Sequence, residues 1–360
     1  MVRLKDIAQA AGVSVTTVSK VLNDRGDEFG IAKDTQERIW EIATRLNYQP
    51  NREARNLRLG KKYRSILFLS LYEGRTKGAE GFFSHPFFGI VMHQIQEAVS
   101  RSGFYLSYVA VDEESMGAVK ALVQDRISGV VTWGTMPPDL AKLLKRSRLP
   151  VAAIEPYTAA PGLFHEVYVD NKQAIALALD YLYRCGYERL VMADARLASE
   201  EYNPVFSERV AAWEELSKGY TGITATVETY HRLAGTSDIT AGEVLGERII
   251  GSLKPPFGIV AVNDLTAMGV MYAAQRHGLR IPEDMAVVGI DDIEWAAFHN
   301  PALTTVRIPK DRLAWEAVDY VSKAINGSGA ETKVVRVPVE LIVRETTPHL
   351  RREGAEGKER

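Results

Sequence analysis

A single cysteine, Cys185, stands in 360 residues, so no internal disulfide can form. No run of eighteen apolar residues occurs, and no charged-then-apolar leader opens the chain. The expectation is a soluble cytoplasmic protein. Nucleotide and hydrolase signatures are also missing: there is no GxGxxG turn after a strand, no GxxxxGK[ST] loop and no GxSxG elbow. His165 and Glu166 begin like a zinc-protease helix, but Val169 stands where the second histidine belongs. Neither a metal nor a cofactor is expected, and no enzymatic activity.

What is present is a charge asymmetry. Residues 1–64 hold 13 Lys and Arg against 8 Asp and Glu, a surplus of five, leaving 31 against 38 in the remainder. A basic head on an acidic body points to a polyanion partner at one end only. Within the head, Leu4, Ile7, Ala8 and Ala11 form one apolar stripe, Gly12 stops it, and Ser14 is placed to cap a second short helix. Val18, Val21 and Leu22 give that helix an inward face despite its β-branched content, leaving Thr16, Lys20 and Asn23 outside. A third stripe of Ile39, Ile42, Ala43 and Leu46 follows, with Asp34 and Glu37 spaced as a capping pair. Two short helices around a Gly-containing turn, backed by a third, make a helix-turn-helix head over residues 1–50. The same spacing also suits surface helices of a larger domain.

Residues 51–64, NREARNLRLGKKYR, carry Arg52, Arg55, Arg58, Lys61, Lys62 and Arg64 against one acid, Glu53, with Leu57 among them. Either an interdomain linker or a short hinge helix fits. As a helix, Leu57 would wedge between base steps from the minor groove while Arg55 and Arg58 neutralise phosphates.

Beyond Ser65, short apolar runs alternate with amphipathic stretches. SILFLS, YLSYV, GVVTW and PVAAI read as strands of one lobe. After the loop near Pro156 to Gly162 the rhythm restarts with EVYVD, RLVMA, GIVAV and MAVVGI. The fold class is therefore α/β: a small all-α head, then a two-lobed body with parallel sheets over residues 65–345, then a polar tail, 346–360. Asn263 and Asp264 follow one strand, and Asp291 and Asp292 another, where a cleft ligand would meet them. Asn and Asp also favour such positions as caps and turn formers.

LKDIAQAAGVSVTTVSKVLN, TQERIWEIATRLNYQPN, ARNLRLGKK, VAVNDLTAMGV, GLRIPEDMAVVGIDDIE and NPALTTVRIP together resemble the lactose-repressor (LacI) family of bacterial transcription regulators. The likeness runs from about Leu4 to about Arg344 and implies a body like the periplasmic binding proteins. It implies that residues just after the turn, Val15, Thr16 and Lys20, read bases, within a DNA-facing set completed by Ser14, Thr17 and Asn23. Leu57 becomes the hinge leucine inserted at the operator centre. Asn263, Asp291 and Arg209 would hydrogen-bond hydroxyls of a small effector, most simply a sugar, with Phe87 and Phe88 at the cleft edge and Glu155 offering an acid. A homodimer on double-stranded operator DNA is implied, with repression the usual outcome.

This chain departs from the family in places. DRGDEFGIAK is longer than the usual link between helices two and three, and LYEGRTKGAEGFFSH extends the first lobe. Ala212 replaces an expected glycine, and Thr236 or Ser237 an aromatic. Two rivals stand beside the regulator. A sugar-binding solute receptor has no use for the basic head, and a sugar-modifying enzyme lacks a paired acid and base.

Overall fold

A computed structural model describes residues 2–22, 25–46, 48, 64–71, 85–111, 115–125, 127–157, 161–197, 204–232 and 236–350. The chain divides into two compact units, residues 1–63 and 64–360.

The head unit has three helices, α1 (Leu4–Ala11), α2 (Val15–Val21) and α3 (Lys33–Arg45). Gly12 ends α1 in the left-handed conformation (φ 65°), where a side chain would be strained, and its N–H closes on the α1 carbonyls. Ser14 then caps α2, its Oγ accepting from Thr17 N at 3.0 Å. Ile7, Val18 and Ile39 are fully buried with Val21, Leu22 and Ile42 packed around them, so the periodic stripes meet in one small core. The expected Asp34/Glu37 cap is corrected: α3 opens at Ala32, which makes no side-chain cap, and Asp34 lies within the first turn. There its carboxylate favours the helix dipole instead.

The body carries two six-stranded sheets. The first contains β1 (Ser65–Ser70), β2 (Tyr105–Ala110), β3 (Gly129–Trp133), β4 (Val151–Ile154), β5 (His165–Val169) and β11 (Val334–Val337), in the order β11-β5-β4-β3-β1-β2 and parallel throughout. The second contains β6 (Arg189–Leu197), β7 (Thr224–Arg232), β8 (Phe257–Ala261), β9 (Met285–Asp291), β10 (Thr304–Arg307) and β12 (Glu340–Ile342), ordered β12-β10-β9-β8-β6-β7. Only the β10/β12 pairing is antiparallel among the described ladders. Helices cover both faces, so β1, β3, β4, β8 and β9 are buried apolar runs, as parallel strands require.

The lobe boundary is not where the sequence rhythm restarts. EVYVD belongs to the first sheet, Ala152 pairing with His165 and Ile154 with Val167, and the chain crosses only beyond Val169. It returns beyond Arg307 into a helix (Lys310–Ile325) that packs on the first lobe against Pro86–Arg101, and crosses a third time between Val337 and Glu340. Three adjacent crossings let the lobes rotate about one short region without breaking either sheet.

The ordered body also runs past residue 345. Thr346 is buried, accepting from Thr304 N (2.8 Å) and donating to Val287 O (2.7 Å), while Tyr181 OH donates to Pro348 O at 2.8 Å. The tail thus begins later than Thr346. Cys185 ends its helix half-buried, with Sγ 3.6 Å from Pro348 O, and burial pushes its thiol up to about 11, an unreactive packed group. Among the described residues no helix is long and apolar enough to cross a membrane, and no cluster of His, Cys, Asp and Glu could hold a metal ion.

Candidate functional site

The head presents one side of α2 to solvent. Val15 and Thr16 are exposed at its start and Lys20 is half-buried near its end. Ser14 and Thr17 are tied to each other, Oγ to Oγ1 at 2.8 Å, as well as through the cap, so the Ser14 hydroxyl serves the backbone and the Thr17 hydroxyl serves Ser14. Lys20 lies against an aromatic ring from the long loop, Nζ 3.6 Å from the centroid of Phe29. Asn23, Arg55, Leu57 and Arg58 lie outside the described residues.

In the body, the sheets bring their strand ends to a common cleft. Arg209 comes from the helix Pro204–Leu216 and is 2 % exposed. Its Nε donates to Asn171 Oδ1 at 3.0 Å, its Nη1 to the Val262 carbonyl, and its Nη2 reaches 4.0 Å from Asp291 Oδ1. Asp291 ends β9 with φ 135°, a value L-residues rarely adopt, and Lys310 Nζ holds its carbonyl at 2.5 Å. Burial raises the Asp291 carboxyl while Arg209 and Lys310 oppose it. Burial likewise lowers Lys310, whose Nζ also lies 5.2 Å over the Phe87 ring.

Asn263 caps the helix Asp264–Arg276, accepting from Thr266 N at 2.8 Å, while its Nδ2 donates to Asp238 Oδ2 at 2.7 Å. The amide oxygen thus makes the cap, and the amide nitrogen ties Asn263 to Asp238. Across the cleft His85 Nε2 is 3.7 Å from the same Asp238 oxygen, and His85 Nδ1 caps the helix Pro86–Arg101 by accepting from Phe87 N. Phe87 is 7 % exposed, its ring edge-on to Trp133, so it is chiefly core; Phe88 keeps part of its surface open.

Glu155 lies just past β4, buried with φ 51°. Its Oε1 accepts from Val169 N at 2.6 Å and its Oε2 carries no hydrogen bond. Burial lifts its carboxyl from 4.5 to about 7, against the pull of Tyr157 and the Val169 N–H. Beside it, Tyr157 OH and Asn171 Nδ2 both donate to Glu208 Oε2, at 3.1 and 2.9 Å.

The other two aspartates serve the scaffold. Asp264 accepts from Thr305 Oγ1 (2.5 Å) and Ile293 N (2.9 Å), fixing the loop after β9. Asp292 sits between Arg307 (2.7 Å) and Arg344 (2.6 Å); burial pushes its carboxyl up, yet these arginines hold it below the usual range. Sequence reasoning missed His85, Tyr157, Asn171, Glu208, Asp238 and Lys310. One signal was available for Asn171: it follows a strand end just as Asn263 does.

A three-helix head and a buried polar set at the strand ends of two α/β lobes are the build of a DNA-binding regulator that answers a small molecule. The family model described as bacterial regulatory proteins, lacI family, matches residues 3–51, and that of the periplasmic binding protein-like domain matches residues 179–347. The head thus matches the lacI family, and the likeness as a whole supports a transcription regulator over a solute receptor. It is 27 % identical over 358 residues to the HTH-type transcriptional repressor PurR of Vibrio cholerae serotype O1 (strain M66-2), covering 97 % of this chain and 99 % of that one. The PurR of Aliivibrio fischeri (strain ATCC 700601 / ES114) is 28 % identical over 352 residues, 96 % of this chain and 98 % of its own. In fold it is similar to the Lac repressor dimer bound to operator and the anti-inducer ONPF (TM-score 0.72, 22 % identity, 96 % of this chain and 99 % of that one). It is similar also to the transcriptional regulator CelR in complex with cellobiose (TM-score 0.64, 22 % identity, 96 % and 100 %).

Proposed function

We propose that the chain works in the cytoplasm as a homodimeric repressor whose effector is a small polyhydroxylated ligand held by Arg209, Asn263, Asp291 and Glu155. The observation that carries this reading is the buried polar set at the strand ends, an arginine fork, an amide and two carboxyl groups, with the partly open Phe88 packed beside His85. Such groups both donate to and accept from vicinal hydroxyls, and an aromatic face suits the C–H side of a sugar ring. Structural neighbours solved with cellobiose or with ribose point the same way. A thermal-shift screen of the full chain against mono- and disaccharides and purine bases tests it. A sugar that stabilises the protein and is silent toward Asp291→Asn supports the proposal. Stabilisation by a purine base alone overturns the sugar assignment.

Closure on a ligand alters DNA binding only through its differential affinity for the two lobe arrangements, and DNA must then alter ligand affinity by the same factor. A coupling of about 1–3 kcal/mol is expected.

The dimer reading is supported by apolar groups left exposed on the second lobe: Phe298 is 81 % exposed, Trp295 52 % and Tyr272 49 %. Trp295 and Phe298 stand three residues apart on one helix, Glu294–Phe298, so they share a face and make a joint apolar patch of the kind that marks an interface. Phe298→Glu is expected to convert the protein to a monomer in sedimentation and to weaken operator binding by more than about ten-fold, since each head then binds alone. A variant that still sediments as a dimer defeats that surface as the interface.

For the head, Lys20→Ala is expected to lower affinity for the preferred duplex by about 10- to 100-fold, the worth of one base contact, and random duplex far less. Equal loss on both duplexes assigns Lys20 to phosphates.

A further inference from the structure

The loop between α2 and α3 is not slack. Arg25 N donates to Lys20 O and Ile31 N to Gly26 O, each at 3.0 Å, and residues Asp27–Phe29 form a 3-10 turn closed by Gly30 at φ 64°. Gln36 reaches back from α3 to clamp it, Nε2 donating to Asp27 Oδ1 (2.9 Å) and to Ile31 O (2.7 Å). Gly26 packs so closely on that glutamine that a side chain there would collide with it. The loop acids are engaged as well: Glu28 accepts from Arg25 Nε at 2.6 Å.

This scaffold holds up an aromatic ring that the head core does not use. Phe29 is 46 % exposed and lies outside the buried cluster of the head. Instead it lies beside α2, with Lys20 Nζ 3.6 Å from its centroid and the Arg25 guanidinium carbon at 5.0 Å. One ring face therefore fixes the direction of the Lys20 ammonium, and the rest of the ring stays open next to it. A ring touching the ammonium that reads a base edge lies within one side chain of the neighbouring base. In the major groove the group that suits a phenyl ring is the 5-methyl of thymine.

We propose that Phe29 is a specificity-determining residue that contacts the 5-methyl group of a thymine adjacent to the base read by Lys20. This rests on the reading of α2 as the groove-entering helix. The test uses the full chain and a duplex selected from a randomised pool by the unaltered protein at fixed salt. Each thymine of that duplex is then replaced by deoxyuridine, which removes the methyl and nothing else. Affinity of the unaltered protein is expected to drop about four-fold at one thymine, the worth of one buried methyl group. Phe29→Ala is expected to bind the selected duplex more weakly, with random duplex within about two-fold, and to be indifferent to the methyl at that position. Phe29→Leu, which keeps an apolar group on the same loop, is expected to keep the methyl sensitivity. If Phe29→Ala responds to every deoxyuridine as the unaltered protein does, the thymine contact is wrong while the reading of α2 stands. Failure of the unaltered protein to select any duplex overturns both.

Discussion

Arg209→Met is expected to lower stability by about 3–5 kcal/mol and to abolish the ligand response, the largest effect of any single change in the body. The guanidinium satisfies the Asn171 amide oxygen and the Val262 carbonyl and faces the Asp291 carboxylate, all away from water. Methionine fills similar volume but donates nothing, so an anion and two acceptors are left buried and unpaired. Urea unfolding of the full chain reads the loss directly. Adding Asp291→Asn removes the stranded charge, so the double variant is expected to recover part of it, a coupling of about 1–2 kcal/mol. Arg209→Lys restores charge without the fork and is expected to regain stability more than ligand response. A methionine variant within about 1 kcal/mol of the parent would show that Arg209 is not what neutralises the cleft.

Arg209 organises the second-lobe side of the cleft, since Asn171 opens the helix that packs against its own and Val262 follows β8. The bonds that cross are made beside it, Tyr157 OH to Glu208 and Lys310 Nζ to the Asp291 carbonyl. His85 and Asp238 face each other across the cleft a little further on. A ligand that competes for Asp238, Glu208 or Asp291 thus acts on groups that also meet the opposite lobe. That is the differential contact a regulated equilibrium needs.

Much of this architecture was legible in the sequence because parallel strands buried on both faces must be apolar runs; SILFLS, GVVTW and MAVVGI could be little else. The assignment of EVYVD to the wrong lobe has an equally physical cause. Which sheet a strand joins depends on partners far along the chain, here His165 with Ala152 and Val334 with Glu166, and no local pattern records that. The edge strand Val334–Val337 was missed because Val334 is open to water and its alternation is broken.

Within the cleft, Asn263 and Asp291 were visible as polar groups ending apolar strands. Glu208 and Asp238 were not, since acids on amphipathic helices look like a solvated face until the opposing lobe covers them. Phe29 shows the reverse case. An aromatic in a polar loop gave no periodic signal, and only the closed loop reveals that it lies on Lys20.

Glu155→Gln is expected to raise the stability of the ligand-free protein at pH 8 by up to about 3 kcal/mol while changing little near pH 4.5. Burial lifts the folded-state carboxyl from 4.5 to about 7. Between those values the folded protein keeps a proton that the unfolded chain has released, so stability falls as pH rises through this window and levels off above it. Glutamine can accept the same Val169 N–H and never ionises, so this contribution vanishes in the variant. Burial raises Asp264 in the same direction, to about 7, so both proteins lose stability with pH and only their difference isolates Glu155. That difference, from thermal or urea unfolding at successive pH values, is expected to grow from about pH 4.5 to about 7 and then stay flat; a pH-independent difference would mean that Glu155 is ionised throughout. Oε2 is enclosed in this arrangement, and movement of the lobes would bring it to a ligand. A ligand hydroxyl donating to it stabilises the carboxylate, so binding below pH 7 is expected to release a proton, seen in calorimetry as a buffer-dependent heat, and Glu155→Gln is expected to bind without that release.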